Sequence, residues 1–139
     1  MHVLYTVEAL ATGDGRDGHV RTTDGKIDLR LSVPKELGGM GQGANPEQMF
    51  AAGYAACFHS ALRLVGKQAK ADVDDSAVSA KVGLGRKKDG AFQLVVSLEV
   101  SLPHLSRQEA QVLVGQAHQV CPSLNAVRGN IDVDVVVRN

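Results

Sequence analysis

The segment from Asn45 to Gln68 predicts one long helix with an unusual face. Asparagine is a good N-cap, proline suits the first helical position, and the acid of Glu47 complements the helix dipole. Residues three and four apart share a face that is mostly small and carries no charge, formed by Met49, Gly53, Ala56, Cys57, Ser60, Ala61 and Leu64. Small side chains let another helix or a sheet approach closely, so we expect this face to be deeply buried.

Strand patterns flank this helix on both sides and cluster in hairpins. Before the helix, the sequence predicts a strand over 2–9, a turn over 12–18, two short strands over 19–33 around Asp24-Gly25, and a loop over 34–45. After it come a long hairpin over 74–103, turning at Lys88-Asp89-Gly90, and an alternating strand over 130–137. Strands clustered in this way predict an α+β fold rather than a parallel doubly wound sheet, in one domain spanning 1–139.

A second helix is predicted from about 107 to 120. Ser106 followed by Glu109 forms a capping box at its start. Pro122 disfavours a helical conformation at the residue before it. Cys121 is therefore expected at the helix end or just past it.

The composition excludes several function classes. Fifteen basic residues balance fifteen acidic ones, so charge gives no reason to expect nucleic acid or a membrane surface as a partner. No apolar run approaches the roughly 20 residues needed to cross a bilayer, and the N-terminal pattern is not that of a signal peptide. We therefore expect a cytoplasmic protein, in a compartment where structural disulfides are uncommon.

Two cysteines, Cys57 and Cys121, are the candidates for thiol chemistry. Neither belongs to a Cys-x-x-Cys pair, and their spacing does not by itself make them partners. Both could equally be inert, buried, small apolar residues. A zinc site would need about four ligands, whereas only His118 and Cys121 are spaced to share a helix face and His59 points away from Cys57.

Arg16 and Glu47 each allow two interpretations. Arg16 is either a solvated loop residue or a guanidinium that the surrounding glycines of GDGRDG let fold inward towards an anion. Glu47 is either a first-turn acid of its helix or the carboxylate partner of a buried arginine. Spacing alone decides neither case.

Three motifs, GANPEQMFAAGYAACFHSAL, VCPSLNAVRGNIDV and the early GDGRDG, together resemble the organic hydroperoxide resistance proteins of the Ohr/OsmC family. The resemblance covers essentially the whole chain, and RGNIDV is similar to the Ohr branch rather than the OsmC branch. It implies an OsmC-like fold, in which antiparallel sheets wrap around central helices in an intertwined homodimer. It also implies a thiol-dependent peroxidase that reduces organic hydroperoxides to alcohols and is recycled by a dithiol such as a lipoylated protein.

The resemblance also implies a role for each site residue. Cys57 matches the peroxidatic cysteine, Cys121 the resolving cysteine, Arg16 the activating arginine and Glu47 the carboxylate that holds this arginine. Ser123 and Leu124 depart from the family pattern, which commonly has a tyrosine and a small polar residue there. If that tyrosine lines the substrate pocket, the pocket of this chain differs in shape or polarity.

Elementary chemistry agrees with these roles. The nucleophile must be a thiolate, and a free cysteine has a pKa of about 8.5 that apolar burial raises. Arg16 would supply the stabilising cation and Glu47 the compensating charge. No metal, haem or flavin is required, so we expect no cofactor.

Two structural questions stay open at this point. On an unbroken helix, Glu47 and Cys57 lie about 15 Å apart along the axis. Either the helix is interrupted near Gly53, or Arg16 lies between the two residues. An apolar pocket would favour fatty or aromatic hydroperoxides, and four residues could line it: Met40, Met49, Phe50 and Phe92.

Two other functions are compatible with the sequence. A protein of the same fold could be a redox sensor or could bind an apolar ligand without catalysis. A small structural domain with two inert buried cysteines is the third possibility.

Overall fold

The hairpin around Asp24-Gly25 belongs to a three-stranded antiparallel sheet in the computed structural model, which describes residues 1–139. The strands are β1 (Ala9–Thr12), β2 (His19–Thr22) and β3 (Asp28–Arg30), in that order. Gly25 adopts a φ of 74°, in the left-handed region that glycine enters without steric cost. This sheet lies in residues 1–49, one of two compact units, and the other unit is residues 50–139.

The strand predicted over 2–9 is wrong except for its last residue, because β1 begins at Ala9. Residues 1–8 have no secondary structure and are exposed. Four of their apolar side chains, Val3, Leu4, Tyr5 and Val7, are more than half exposed. The alternating pattern favours an extended backbone, but a strand also needs a hydrogen-bonded neighbour along its length. Within the chain this segment is paired only at its end, where the Thr23 N–H donates to the Glu8 carbonyl oxygen at 3.0 Å.

The long helix α1 (Pro46–Gln68) is continuous, so the interruption considered near Gly53 does not occur. Its start is capped as predicted at Asn45. The Gln48 N–H donates to Asn45 Oδ1 at 2.9 Å, and the Asn45 N–H donates to Gln48 Oε1 at 3.1 Å. This reciprocal pair satisfies two backbone donors at the helix terminus.

The buried face of α1 differs from the predicted one. Its buried residues are Tyr54, Phe58, Ala61, Leu62, Val65 and Gly66. Most of the small-residue face is instead exposed, including Gly53, Ala56, Ser60 and Leu64. The larger apolar side chains bury more area per residue, and they fill the core of residues 50–139. The prediction was correct for the bounds of the helix but wrong about which of its faces is buried.

The second unit contains a mixed sheet. The predicted long hairpin forms β4 (Ala77–Arg86) and β5 (Phe92–Ser101), which pair antiparallel. The last strand, β6 (Val133–Val137), pairs with β5 in parallel, so the expectation of antiparallel sheets is wrong for this strand. Two helices, α2 (Arg107–Val120) and α3 (Pro122–Val127), connect β5 to β6. Such a long crossover returns the chain in the same direction, which a tight hairpin cannot do.

Helix α3 was not predicted. Proline disfavours a helical conformation at Cys121, where φ is −68° and ψ is 117°, but it is well suited to the first position of a new helix. The predicted capping box of α2 is present, since Ser106 and Glu109 cap each other's backbone N–H. Pro122 therefore ends α2 and begins α3, which leaves Cys121 between these two helices.

One core in residues 50–139 joins the helices to the sheet. Phe58 and Leu62 of α1, Leu98 of β5 and Ala110 of α2 are fully buried in it, together with Cys121. The α+β class is confirmed. None of the helices combines the length and the apolar character that crossing a membrane would need.

Substitution of Gly66 tests this packing. A Cβ atom at Gly66 would lie 2.4 Å from Val73 Cγ1, and valine has little freedom to rotate away. We expect Gly66→Ala to lower the free energy of unfolding by about 1–3 kcal/mol, measured by urea denaturation. Gly115→Ala in α2 is the matched control, because nothing lies within 4 Å of its Cβ position, and it should raise stability by about 0.5–1 kcal/mol. Equal effects of the two substitutions would contradict this account.

Candidate active site

Arg16 is presented by a turn built from glycines. A single 3₁₀ turn, Gly15–Asp17, connects β1 to β2. Gly15 has a φ of 62°, and a Cβ at Gly18 would lie only 2.2 Å from the Thr12 carbonyl oxygen. Asp17 Oδ1 accepts a hydrogen bond from the Val33 N–H at 2.9 Å, which fixes the turn to the chain beyond β3. Glycine at these positions lets the loop fold tightly enough to hold Arg16 in one place.

Arg16 and Glu47 form a bidentate ion pair within residues 1–49. Nη1 donates to Oε2 at 3.0 Å, and Nη2 donates to Oε1 at 2.7 Å. The Arg16 side chain is 41% exposed and that of Glu47 is 16% exposed. The hydrogen bonds from Arg16 hold the pKa of Glu47 below its ordinary value, although partial burial opposes this. Glu47 is both a first-turn acid of its helix and the carboxylate partner of an arginine, although this arginine is partly exposed rather than buried.

The two cysteines meet in the second unit. Cys57 lies in the fourth turn of α1, and Cys121 lies between α2 and α3. The Cys121 thiol donates to the Cys57 sulfur across 3.7 Å, and both are free thiols. Cys121 is fully buried, whereas Cys57 is partly accessible. The fold therefore brings together two sulfurs that the sequence could not pair by spacing, and only one of them can meet a solute directly.

Ser123 lowers the pKa of Cys57. Burial by itself raises the pKa of Cys57. Hydrogen bonds from the Ser123 hydroxyl, the Ser123 backbone N–H and the Cys121 thiol outweigh this effect, so the pKa of Cys57 lies below its ordinary value. Hydrogen bonds of this kind favour the charged sulfur because they stabilise the anion more than the neutral thiol.

Cys121 is shifted in the opposite direction. Burial raises the pKa of Cys121, and the neighbouring Cys57 sulfur raises it further. Hydrogen bonds from the Leu124 and Ser123 backbone oppose this rise without reversing it. The pair therefore favours one arrangement, in which Cys57 carries the negative charge and Cys121 keeps the proton. Cys57 is therefore better suited than Cys121 to act as a nucleophile.

Tyr54 and Ser123 are neighbours of the cysteines that the sequence reasoning missed. Tyr54 lies one helical turn before Cys57, and its hydroxyl is buried without a hydrogen-bond partner. The i, i+3 spacing on α1 could have indicated Tyr54. Ser123 was noted only as a departure from the family pattern, because its contact with Cys57 depends on how α3 folds back towards α1.

The four proposed pocket residues separate into different environments. Phe50 packs against the buried core, and its ring lies 5.9 Å from that of Tyr54. Phe92 is exposed, with the Arg86 guanidinium 4.6 Å from its ring centre, and Met40 is also exposed. Met49 is partly buried. No group of three or more His, Cys, Asp or Glu side chains is arranged to hold a metal ion.

Comparison with known proteins gives a consistent result. A model of the OsmC-like protein family matches residues 39–136. The organic hydroperoxide resistance protein of Xanthomonas axonopodis pv. citri is 48% identical over 137 residues, which cover 97% of this chain and 95% of that protein. Organic hydroperoxide resistance protein OhrB of Bacillus subtilis is 41% identical over 136 residues, covering 97% of this chain and 98% of that protein.

A solved structure shares the fold along the whole chain. An organic hydroperoxide resistance protein from Legionella pneumophila superimposes with a TM-score of 0.95 at 48% identity, covering 99% of this chain and all of that one.

Removal of the Ser123 hydroxyl tests its effect on Cys57. We expect Ser123→Ala to raise the pKa of Cys57, since a donor to the thiolate is lost, so the thiolate fraction at neutral pH falls. The measurement is the pH dependence of alkylation by iodoacetamide, with each cysteine followed separately by peptide mass spectrometry. The midpoint for Cys57 should move to higher pH. A Cys57 profile identical to that of the unmodified chain would remove Ser123 from this role.

Proposed function

The chain belongs to the OsmC-like family, in its organic hydroperoxide resistance branch, and from this we propose that it is a cysteine-dependent peroxidase that reduces organic hydroperoxides to alcohols. The observation that carries the proposal is the Cys57–Cys121 sulfur contact with its unequal pKa directions. An inert core cysteine has no need of hydrogen bonds that favour its charged form. A role in organic hydroperoxide resistance is also what the names of the related proteins support.

The first proposed step is oxidation of Cys57. Its thiolate attacks the distal peroxide oxygen, which bears the hydrogen, the O–O bond breaks, and an S–O bond forms. The departing alkoxide takes up a proton and leaves as the alcohol. Sulfur is oxidised by two electrons, the peroxide is reduced by two, and Cys57 becomes a sulfenic acid. The partly accessible position of Cys57 and its lowered pKa both favour it over Cys121 as the attacking group.

The second proposed step is closure of a disulfide. Cys121 attacks the Cys57 sulfur, an S–S bond forms, and the oxygen leaves as water with the proton that Cys121 releases. The 3.7 Å separation supports this step, because the two sulfurs are already in van der Waals contact. Disulfide formation protects the sulfenic acid from irreversible oxidation.

The third proposed step is reduction of the disulfide by an external dithiol. Exchange with two thiols would restore both cysteines and leave the reductant as a disulfide. The family resemblance favours a dithiol such as a lipoylated protein. No metal, haem or flavin enters this cycle.

Arg16 and Glu47 complete the proposed machinery. Arg16 would stabilise negative charge on the thiolate and on the departing alkoxide, and Glu47 would fix the guanidinium through its bidentate pair. The support is the family resemblance together with this ion pair.

We also propose that the protein works as a cytoplasmic homodimer. Two exposed apolar features of the single chain support dimerisation. These are the small-residue face of α1 and the N-terminal residues 1–8, which include Leu4 at 88% exposure. Surfaces of this kind commonly mark protein interfaces. A monomeric mass in solution at micromolar concentration would contradict the dimer.

Two cysteine substitutions test the peroxidase cycle. We expect Cys57→Ser to abolish consumption of cumene hydroperoxide supported by dihydrolipoamide, since the nucleophile is lost. Cys121→Ser should retain the first oxidation but accumulate Cys57 sulfinic acid, detected by mass spectrometry. Consumption that survives in Cys57→Ser would refute the proposal. Disulfide formation in the unmodified chain without turnover would favour a redox sensor instead.

Substitution of Arg16 tests the electrostatic role. We expect Arg16→Ala to slow oxidation of Cys57 by about 100-fold, as loss of a charge-stabilising donor does in other enzymes. The rate is measured in a single turnover with cumene hydroperoxide in a stopped-flow instrument. Arg16→Lys is the matched control, because it keeps the charge but loses the bidentate geometry. Its oxidation rate should lie between those of the unmodified chain and Arg16→Ala. An unchanged rate in Arg16→Ala would remove Arg16 from the machinery.

A further inference from the structure

The Tyr54 hydroxyl is a buried polar group without a hydrogen-bond partner. The residue is only 2% exposed, and its oxygen is the one buried side-chain N or O atom that lacks a partner. Nearly all buried polar groups in proteins are satisfied, because an unpaired one destabilises the fold. Such a group calls for a specific explanation, and a partner that arrives only during the reaction is one.

Tyr54 is a neighbour of both cysteines in the fold. Tyr54 lies on α1 one turn before Cys57 and is packed in the same core cluster as Cys121. Burial and the nearby Cys121 and Cys57 sulfurs raise the pKa of Tyr54 to about 12. The hydroxyl therefore keeps its proton throughout the neutral range and serves as a hydrogen-bond donor.

Oxidation supplies an acceptor beside the same two sulfurs. When Cys57 becomes a sulfenic acid, it gains an oxygen atom that the resting site lacks. We propose that Tyr54 is a further catalytic residue, whose hydroxyl donates a hydrogen bond to the oxygen on Cys57 and assists its departure. This inference rests on the proposed peroxidase function.

The assisted step is the closure of the disulfide. Cys121 attacks the Cys57 sulfur, the S–S bond forms, and the S–O bond breaks. The oxygen leaves as water, carrying the proton from the Cys121 thiol. Tyr54 donates a hydrogen bond to the oxygen as negative charge develops on it, and it ends the step still protonated. Donors placed where charge develops stabilise the transition state more than the ground state.

Tyr54→Phe tests the proposal because it removes only the hydroxyl. We expect disulfide formation after one equivalent of cumene hydroperoxide to slow by about 10-fold. The rate is followed by rapid quenching and mass spectrometry, and the longer-lived sulfenic acid should give more sulfinic acid. The melting temperature of reduced Tyr54→Phe should equal or exceed that of the unmodified chain, since the lost hydroxyl had no partner. Tyr5→Phe is the matched control, because it removes the chain's other tyrosine hydroxyl.

A second experiment avoids substitution at position 54. In Tyr5→Phe, the remaining tyrosine is Tyr54, so biosynthetic incorporation of 3-fluorotyrosine modifies this one position. Fluorination makes the phenol a stronger donor, and disulfide formation should become faster at neutral pH. This result stays decisive even if Tyr54→Phe folds poorly.

The outcomes separate this inference from the proposed function. If the unmodified chain forms no disulfide with the hydroperoxide, the peroxidase proposal fails. If it does, and neither Tyr54→Phe nor the fluorinated protein changes the rate of disulfide formation, Tyr54 has no catalytic role. A lower melting temperature in Tyr54→Phe with an unchanged rate would likewise assign the hydroxyl a purely structural role.

Discussion

The contact between the Cys57 and Cys121 sulfurs is the interaction on which the chemistry of this chain depends. It joins α1 to the junction of α2 and α3, and it lies at the edge of the core of residues 50–139. Two thiols in such contact would ordinarily compete for one proton on equal terms. Here burial keeps the proton on Cys121, while donors from Ser123 and Cys121 favour the anion on Cys57. Cys57 is thus suited to attack first, and Cys121 to react in a second step.

The surrounding fold explains why this arrangement persists. Fully buried side chains of α1, such as Phe58 and Leu62, pack in the same core as Leu98 of β5. This packing fixes α1, and therefore Cys57, against the sheet. Pro122 fixes the position of Cys121, because it prevents α2 from continuing through Cys121 and is itself the first residue of α3. The short helix then directs Ser123 towards the Cys57 sulfur. In the first unit, tight glycine turns hold Arg16 on Glu47 in a comparable way.

Several features could be predicted from the sequence because they are local. The Asn45 cap, the turn at Asp24-Gly25, the capping box at Ser106 and the position of Cys121 at a helix boundary all depend on residues a few positions apart. The inner face of α1 could not be predicted in this way. The spacing of small residues was genuine, but the side chains that became buried were Tyr54, Phe58 and Leu62. Which face of a helix packs inward depends on the volume that the rest of the chain must fill. The segment 2–9 failed as a strand for a related reason, since strand pairing requires a neighbour that sequence does not supply.

The sequence by itself determined the α+β class, the bounds of α1 and α2 and, through its motifs, the candidate residues Cys57, Cys121, Arg16 and Glu47. The class and the helix bounds follow from local backbone preferences, and the candidate residues follow from the family resemblance of the motifs that contain them. The tertiary structure alone decided that the sulfurs touch, that β6 runs parallel to β5, that Ser123 stabilises the Cys57 anion and that the Tyr54 hydroxyl is buried without a partner. Such facts depend on distances between residues far apart in the chain. Those distances are set by packing of the whole core, which no short stretch of sequence encodes.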